Sequence, residues 1–417
     1  MILELLEVEK MDKVGKYKDS KVFKNKKALS IDYTPEEIVH REEQLDEIDF
    51  QVISEYIKDK GDPNNLIICG GTGTGKSVTI KKAIDEIKKG DLDITPLYID
   101  CNEFDNQLKI LGELVKGLLT KSGVCEFEYK GRSRDDLYQK IEDEIKKNKL
   151  NLWIILDEVD QVLDKDKTDE LIRRLHRIKE TGLSFREGEE TKGNLSITAI
   201  TNSIKFKEYL KDKTKERLNA EILIFPHYNI EELEDILKQR IEKAFEEDIV
   251  KEDAIILIGG KGKQEGGNAR YVLQVLRKAG ELAERREKET IDAQLCKDAK
   301  ELLEVDLLYN SLRAVSEQER AVAYSLFLMV DKEERPITTS ELYSGYKKVC
   351  DEKGIFGRSK RRVADYIGSL ETQDIVNTWN ENKGREGRKK KINLAGDLEL
   401  FEKAIKRVIK DGLLGER

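Results

Sequence analysis

The sequence predicts a parallel, doubly wound α/β sheet, followed by a small all-helical domain and a C-terminal winged-helix domain. Three observations carry this. Between residues 66 and 226 five short apolar, β-branched runs, LIICG, PLYIDCN, LWIILDE, LSITAITN and EILIFP, alternate with helical patterns. Strands that read as continuous apolar runs belong to a parallel sheet covered on both faces. After Pro226 the strands stop and helical spacing takes over to about residue 304. From there three helical segments, near 317–331, 338–352 and 358–371, precede a glycine- and Lys/Arg-rich hairpin candidate, DIVNTWNENKGREGRKKKINL, which is the order of a winged helix-turn-helix.

The bulk numbers agree with several domains. A chain of 417 residues is too long for one ordinary core,. Charged residues make up 38% and there are only five prolines, so long, solvated, ion-paired helices are expected. A net charge of −8 excludes a protein that coats nucleic acid along its whole surface and leaves room for a local basic patch. The five cysteines, at 69, 101, 125, 296 and 350, form no Cys-x-x-Cys pair; they read as reduced thiols, not as a disulfide frame or zinc site. His40, His176 and His227 are isolated from one another and point to no metal. The N-terminus has no signal pattern, and the longest apolar run, AVAYSLFLMV at 321–330, is about half of the ~20 residues that a membrane span needs. A soluble, cytoplasmic protein without a membrane partner is expected.

Taken in order, residues 1–29 are expected to be a flexible basic arm, because 9–27 hold eight Lys against three acids and lack a period,. Residues 30–228 are the expected nucleotide-binding base. In NLIICGGTGTGKSVTI (65–80) the pattern Gly70-x-x-x-x-Gly75-Lys76-Ser77 follows a strand and opens a helix, the setting of a phosphate loop. There Gly70, Gly71, Thr72, Gly73, Thr74, Gly75, Lys76, Ser77 and Val78 would cradle the phosphates of ATP or ADP. Lys76 would reach the β/γ-phosphates, and the Ser77 hydroxyl would ligate Mg²⁺. LWIILDEVD ends its strand in Asp157, a second candidate metal ligand, and Glu158, placed to polarise water,. A phosphate loop with this acidic pair favours a hydrolase over a small-molecule kinase. LSITAITN ends in Asn202, whose amide would hold that water. Arg217, on a helix before the last strand, is the candidate arginine finger for a neighbouring subunit's γ-phosphate.

Residues 229–305 are the expected helical domain. NIEELEDILKQRIEKAF places Ile230, Leu233, Ile236, Leu237, Ile241 and Phe245 on one face with Asn229 as N-cap,, and GGKGKQEGGN reads as an interruption between helices. In GGNARYVLQVLRKAG, Arg270 opens a helix with its guanidinium directed to phosphate. Residues 306–417 form the expected winged-helix domain. Its stretch 356–392 carries ten positive charges against five acids. Ser359, Lys360, Arg361 and Arg362 stand at the start of the third helix for the major groove, and Arg385, Arg388, Lys389, Lys390 and Lys391 stand on the wing.

Together these motifs resemble the AAA+ ATPases and, within them, the archaeal replication initiators related to the eukaryotic origin recognition complex and its helicase-loading partner (the Orc/Cdc family). The resemblance spans about 30–415, through IDYTPEEIVHREEQL, ELEDILKQRIEKAF, GNARYVLQVLRKAGELA, ITTSELYSGYKKVC and GRSKRRVADYIGSLETQDIV. It implies a weak ATPase used as a switch. It also implies binding to double-stranded origin DNA, recruitment of a replicative helicase of the minichromosome maintenance type, paralogous initiator subunits as partners, and a nucleoid-associated place in the cytoplasm. Tyr33 and Pro35 match the segment that lines the family's adenine pocket. The family's extra helical element in the ATPase domain touches DNA, and 116–137 covers it here, with Lys130, Arg132 and Arg134 as contacts. The chain departs from the pattern where Asn268 and Tyr271 replace an acidic and a basic residue, where Lys-Glu-Arg stands in the arginine-finger region, and in the long segment 181–194. The competing reading is a nucleotide-gated signalling or transcription-regulating ATPase whose winged helix binds protein.

Overall fold

The structure is a computed structural model. It describes residues 20–58, 62–104, 106–121, 123, 127–162, 165–182, 194–333, 335–382 and 388–415. The chain forms two compact units, residues 1–293 and 294–417.

The first unit is built on five parallel strands, β1 Leu66–Gly70, β2 Thr95–Asp100, β3 Leu152–Asp157, β4 Leu195–Thr201 and β5 Glu221–Phe225, in the order β2-β3-β4-β1-β5. Because successive side chains point to opposite faces, each central strand feeds two cores. Ile67, Cys69, Ile154, Leu156, Ile197 and Ala199 pack with helices α3 Gln107–Lys121, α4 Arg134–Asn148 and α5 Lys165–Gly182. Leu66, Ile68, Trp153, Ile155 and Ile200 pack on the other side with α1 Glu42–Ile48 and α2 Lys76–Lys89. The doubly wound reading holds. Trp153 is wholly buried and its indole Nε1 donates to Thr198 Oγ1 at 2.8 Å, so its one polar atom is satisfied,. Short helix α6 Asp212–Leu218 precedes the edge strand β5.

Three helices follow, α7 Ile230–Ala244, α8 Glu252–Gln264 and α9 Ala269–Arg285. Asn229 caps α7 in a reciprocal capping box with Glu232,. Leu233, Ile236, Leu237 and Phe245 are buried as expected, whereas Ile241 is half-buried and Ile230, the first helical residue, is exposed. The expected interruption at GGKGKQEGGN is confined to its last four residues: α8 runs through GGKGKQ to Gln264, and α9 starts at Ala269. A Cβ on Gly262 would lie 2.2 Å from Val272 Cγ1, so this glycine serves close helix approach. Its propensity cost of about 1 kcal/mol is offset by that packing.

The basic arm differs from expectation where it is described. From Ser20 onward the chain is docked, with Phe23 stacked on Phe245 at 4.9 Å, Lys24 N donating to Ala244 O at 2.9 Å and Lys26 paired with Glu281 at 2.7 Å. Val22, Ala28 and Leu29 are buried, so the apolar residues scattered among the lysines anchor it. Residues 1–19 lie outside the described residues, as do 183–193 of the unassigned segment.

The second unit holds most of α10 Ala293–Ala314, then α11 Glu317–Glu333, β6 Ile337–Thr338, α12 Thr339–Lys353, α13 Lys360–Thr372, the hairpin β7 Val376–Asn382 and β8 Arg388–Leu394, and α14 Leu398–Lys410. The strands pair antiparallel in the order β6-β8-β7. The apolar run at 321–330 lies within α11, where Ala321, Val322, Leu326 and Phe327 enter the core beside Tyr346, Ile367, Ile392 and Phe401. α10 is one continuous helix across residue 306. Among the described residues no helix is long and apolar enough to cross a membrane, and Cys69, Cys101, Cys296 and Cys350 are buried and form no disulfide; Cys125 lies outside them.

Asp49 follows α1 with its Oδ1 buried and unpartnered. Burial first, then the nearby Glu86 and Asp46, push its carboxyl up to about 6,. An unfolded aspartate ionises near ~3.9, so the native state carries a cost that is absent below that pH and complete above about 6,. Asp49→Asn is therefore expected to raise the thermal midpoint by roughly 2–4 °C near neutral pH and to leave it unchanged in acid. Equal stabilisation in both conditions, read by calorimetry, would contradict this.

Candidate functional site

The loop after β1 turns sharply enough to present its backbone N–H groups before α2 starts at Lys76. Gly73 has φ +75°, and a Cβ there would fall 1.8 Å from Asn268 Oδ1. Glycine at this point lets the helical domain close on the loop, with Ala269 N donating to Gly73 O at 3.0 Å,. Asn268, where the family pattern has an acid, caps α9 by accepting from Tyr271 N at 3.1 Å. Thr74 Oγ1 donates to Gly71 O at 2.8 Å. Arg41, which is buried, donates to Thr74 O at 2.9 Å, His40 O at 2.6 Å and Pro226 O at 2.7 Å, and lies 3.7 Å from the centroid of the Tyr228 ring.

Lys76 is 6% exposed. Its Nζ donates to Gly70 O and Gly71 O at 2.8 Å and to Asn202 Oδ1 at 2.9 Å. Burial lowers its pKa, and the carboxylates of Asp157 and Glu158 oppose that shift,. Asp157 is buried; its Oδ1 accepts from Glu158 N at 2.9 Å, and its Oδ2 accepts from the Tyr98 hydroxyl. Tyr98 also interacts with Ser77, and burial and Asp157 raise its pKa. Glu158 stands at φ +53°, and its carboxylate accepts from Asn102 Nδ2. Burial and the neighbouring Asp157 raise its pKa. Arg270 is close enough to act electrostatically on both Lys76 and Glu158. The structure thus brings Lys76, Ser77, Asp157, Glu158, Asn202 and Arg270 to one cleft at the carboxyl ends of the strands, where ligands bind in open α/β sheets.

The cleft continues into an apolar recess containing Tyr33, Pro35, Ile38, Ile236 and Leu273. Arg240, 7% exposed, lies in it with its guanidinium 4.7 Å from the centroid of the Tyr33 ring. A glycine cradle, a buried ammonium and a flat apolar recess fit a nucleotide. Among the described residues no cluster of three or more His, Cys, Asp or Glu groups could hold a metal alone. Ser77 and Asp157 offer hard oxygen ligands, which suit a cation that takes its remaining ligands from phosphate and water.

The sequence reading missed Tyr98, Asn102 and Arg240, and it placed Arg41 only within the His-Arg-Glu match of the entry segment. Arg240 was legible: at four residues past Ile236 and seven past Leu233 it continues the buried stripe of α7,. Nothing in the local pattern marks Tyr98 or Asn102, whose partners on β3 are more than 50 residues away. Arg217 lies apart from this cleft, in a polar surface pocket with Arg173, Lys211, Lys213, Asp169 and Glu170.

Two helices, α3 and α4, separate β2 from β3. In their connection Lys130 and Arg132 are exposed, Arg132 donating to Glu128 O at 3.2 Å. Arg134 is bound to Gln107 at 2.6 Å and Glu170 at 3.2 Å. In the second unit Arg358, Ser359, Lys360, Arg361 and Arg362 are all exposed where α13 begins. Lys360 donates to Ser340 Oγ at 2.8 Å, Arg362 stands 3.7 Å from Asp365, and Arg361 has no carboxylate partner among the described residues. On β8, Lys389 is exposed, Lys390 pairs with Glu371 at 3.7 Å, and Lys391 pairs with Glu381 at 3.8 Å. The backbone of Arg388 opens β8; Arg385, with the rest of 383–387, lies outside the described residues.

Three family models match the chain in order: an AAA domain over 59–188, a Cdc6 AAA+ ATPase-type lid domain over 234–301 and a CDC6 C-terminal winged helix domain over 310–404. The ORC1-type DNA replication protein of Thermococcus kodakarensis is 33% identical over 90% of this chain and 88% of its own length. The ORC1-type DNA replication protein 1 of Sulfurisphaera tokodaii is 34% identical over 93% of both. Among solved structures, that of the Aeropyrum pernix ORC1 protein in complex with DNA matches with a TM-score of 0.78 and 26% identity, over 95% of this chain and 98% of that one. Identity of this level over nearly the whole length, on the fold and cleft just described, makes the chain a member of the ORC1-type DNA replication protein family, with an AAA+ ATPase core.

Proposed function

We propose that this protein is a replication initiator that binds origin duplex DNA under the control of bound ATP or ADP, hydrolyses ATP slowly with Mg²⁺, and helps to recruit a replicative helicase of the minichromosome maintenance type, alongside paralogous initiator subunits. The observation that carries the reading is the exposed basic run Arg358–Arg362 at the head of α13 in a chain whose net charge is −8. A positive field confined to one helix end and the neighbouring wing suits a duplex partner. Arg361 is placed for phosphate or base-edge contact, and Lys389 for the backbone beside it; Ser359, Lys360, Arg362, Arg388 and Lys390 complete the proposed surface. In the first unit Lys130 and Arg132 are proposed as secondary contacts. Arg134 suits that role less, since Gln107 and Glu170 already engage it.

ATP with Mg²⁺ would supply the phosphoanhydride bond and the charge neutralisation that makes its terminal phosphoryl group electrophilic. The residues around it divide the remaining work. Backbone N–H groups of the 71–77 loop would donate to phosphate oxygens, and Lys76, held between two carbonyls and Asn202, would add a fixed positive charge,. Ser77 and Asp157 would hold the metal, with Tyr98 fixing the Asp157 carboxylate,. Glu158, whose raised pKa favours proton uptake, takes a proton from water on its carboxylate once Asn102 releases it,. The Asn202 amide nitrogen orients that water, and Arg270 would sense the terminal phosphate from the helical domain. Tyr33 and Pro35 would flank the base. Arg217, outside the cleft, suits action on a neighbouring subunit's nucleotide.

Two outcomes test the nucleotide half. Lys76→Ala is expected to abolish the thermal shift produced by ATP. Glu158→Gln is expected to keep that shift while lowering kcat at least ~100-fold; turnover at the wild-type rate would remove Glu158 from the chemistry. For the DNA half, Arg361→Ala with Arg362→Ala should weaken duplex binding and flatten the slope of log K against log salt by about 1.8, or ~0.9 per lost phosphate contact. Unchanged affinity and slope in that double variant would contradict DNA binding through α13. Selective capture of a regulatory protein by the winged unit would favour the competing signalling role.

A further inference from the structure

Two buried arginines stand at the nucleotide cleft, Arg240 in its lining and Arg41 behind the phosphate loop, and they differ in one respect. Arg41 spends its guanidinium on three backbone carbonyls. Arg240 does not: its Nε and Nη1 are buried and have no hydrogen-bond partner, and among the described residues no carboxylate pairs with it. A guanidinium taken out of water with donors unmet is costly, more so than a neutral polar group. Such a residue on a helix that otherwise buries Leu233, Ile236, Leu237 and Ala244 calls for an acceptor that arrives from elsewhere.

Its surroundings narrow what that acceptor is. Arg240 lies over the Tyr33 ring at 4.7 Å, so one face of the guanidinium is fixed by an aromatic plane. Its electrostatic neighbours are Tyr33 and Tyr228, whereas Lys76 responds to Asp157, Glu158 and Arg270. Its contact with Tyr33 thus puts Arg240 on the recess side of the cleft, while Tyr228, its other neighbour, reaches the phosphate loop at Gly75. Arginine is donor-only and cannot be neutralised in a protein. In the base-and-ribose half of an adenine nucleotide the strongest acceptors in a flat plane are the unprotonated ring nitrogens of the purine.

We propose that Arg240 reads the base of the bound nucleotide, donating a hydrogen bond from its guanidinium edge to an unprotonated purine ring nitrogen. This rests on the adenine-nucleotide reading above and adds a specificity residue to it. The base completes the hydrogen bonding of Arg240, and Arg240 rejects a ring that presents C–H or N–H at the same place, because the donors are then left unmet.

The test is calorimetric titration of the full chain with ADP and with its 1-deaza, 3-deaza and 7-deaza analogues, each lacking one ring nitrogen, for the wild type and for Arg240→Met, which keeps the length of the side chain without its donors. The wild type is expected to bind one analogue about tenfold more weakly than ADP, the scale of one hydrogen bond to a charged donor. Arg240→Met is expected to lose about the same factor for ADP and to bind that analogue no more weakly than ADP. Equal wild-type affinity for ADP and all three analogues would overturn the inference, and this arm stands even where the variant fails to fold. So would a Met variant that weakens ADP and every analogue by one common factor, the mark of a wall residue. A wild-type chain that binds no adenine nucleotide would overturn the nucleotide reading itself, and with it this one.

Discussion

The Lys76 ammonium is the point on which the first unit turns. It is buried at the carboxyl end of β1 and tied to the carbonyls of Gly70 and Gly71 and to Asn202, just beyond β4. Two neighbouring strands and the loop between strand and helix therefore share one positive charge. Burial disfavours that charge, and Asp157 at the end of β3 and Glu158 just past it oppose the shift,. The sheet order β3-β4-β1 is what delivers all three strand ends to the same place.

The same economy sets the position of the helical domain. Gly73 and Asn268 fit together only because the loop residue has no side chain, and the bond from Ala269 N to Gly73 O then fixes the start of α9, and with it Arg270, beside the loop. Arg41 closes the opposite side by joining Thr74, His40 and Pro226. The nucleotide site is thus made by elements from four distant parts of the chain. Its geometry follows from hydrogen bonds to the carbonyls of the loop, given by Arg41, Lys76 and Ala269 N.

The parts that were legible in the sequence are those governed by local rules. The strands β1, β3 and β4 are buried on both faces, and so they read as unbroken apolar runs; the phosphate loop needs a fixed spacing; Asn229 announces α7 through its cap. What was not legible depends on partners far away in sequence. Gly262 looked like a breaker and is a contact between helices, because the space taken by Val272 is invisible from the local pattern. Phe23 looked like part of a solvated tail and stacks on Phe245. Tyr98 and Asn102 became site residues only when β2 was seen to lie beside β3. Arg240 was the exception, since a charge on a buried stripe is a signal that periodicity alone exposes. The C-terminal helix α14, which buries Phe401, Ala404, Ile405 and Val408, was passed over because the basic hairpin before it held the stronger pattern.

The nucleotide site lies in one unit, and the proposed DNA surface lies in the other. Coupling between two binding events is reciprocal, so the most direct measurement is the affinity of the full chain for ATP and for ADP, with and without saturating duplex DNA. The account predicts that duplex shifts the ratio of the two affinities by a factor of about five or more, within the usual range of coupling between sites. Affinities for both nucleotides that do not change when duplex is bound would contradict it.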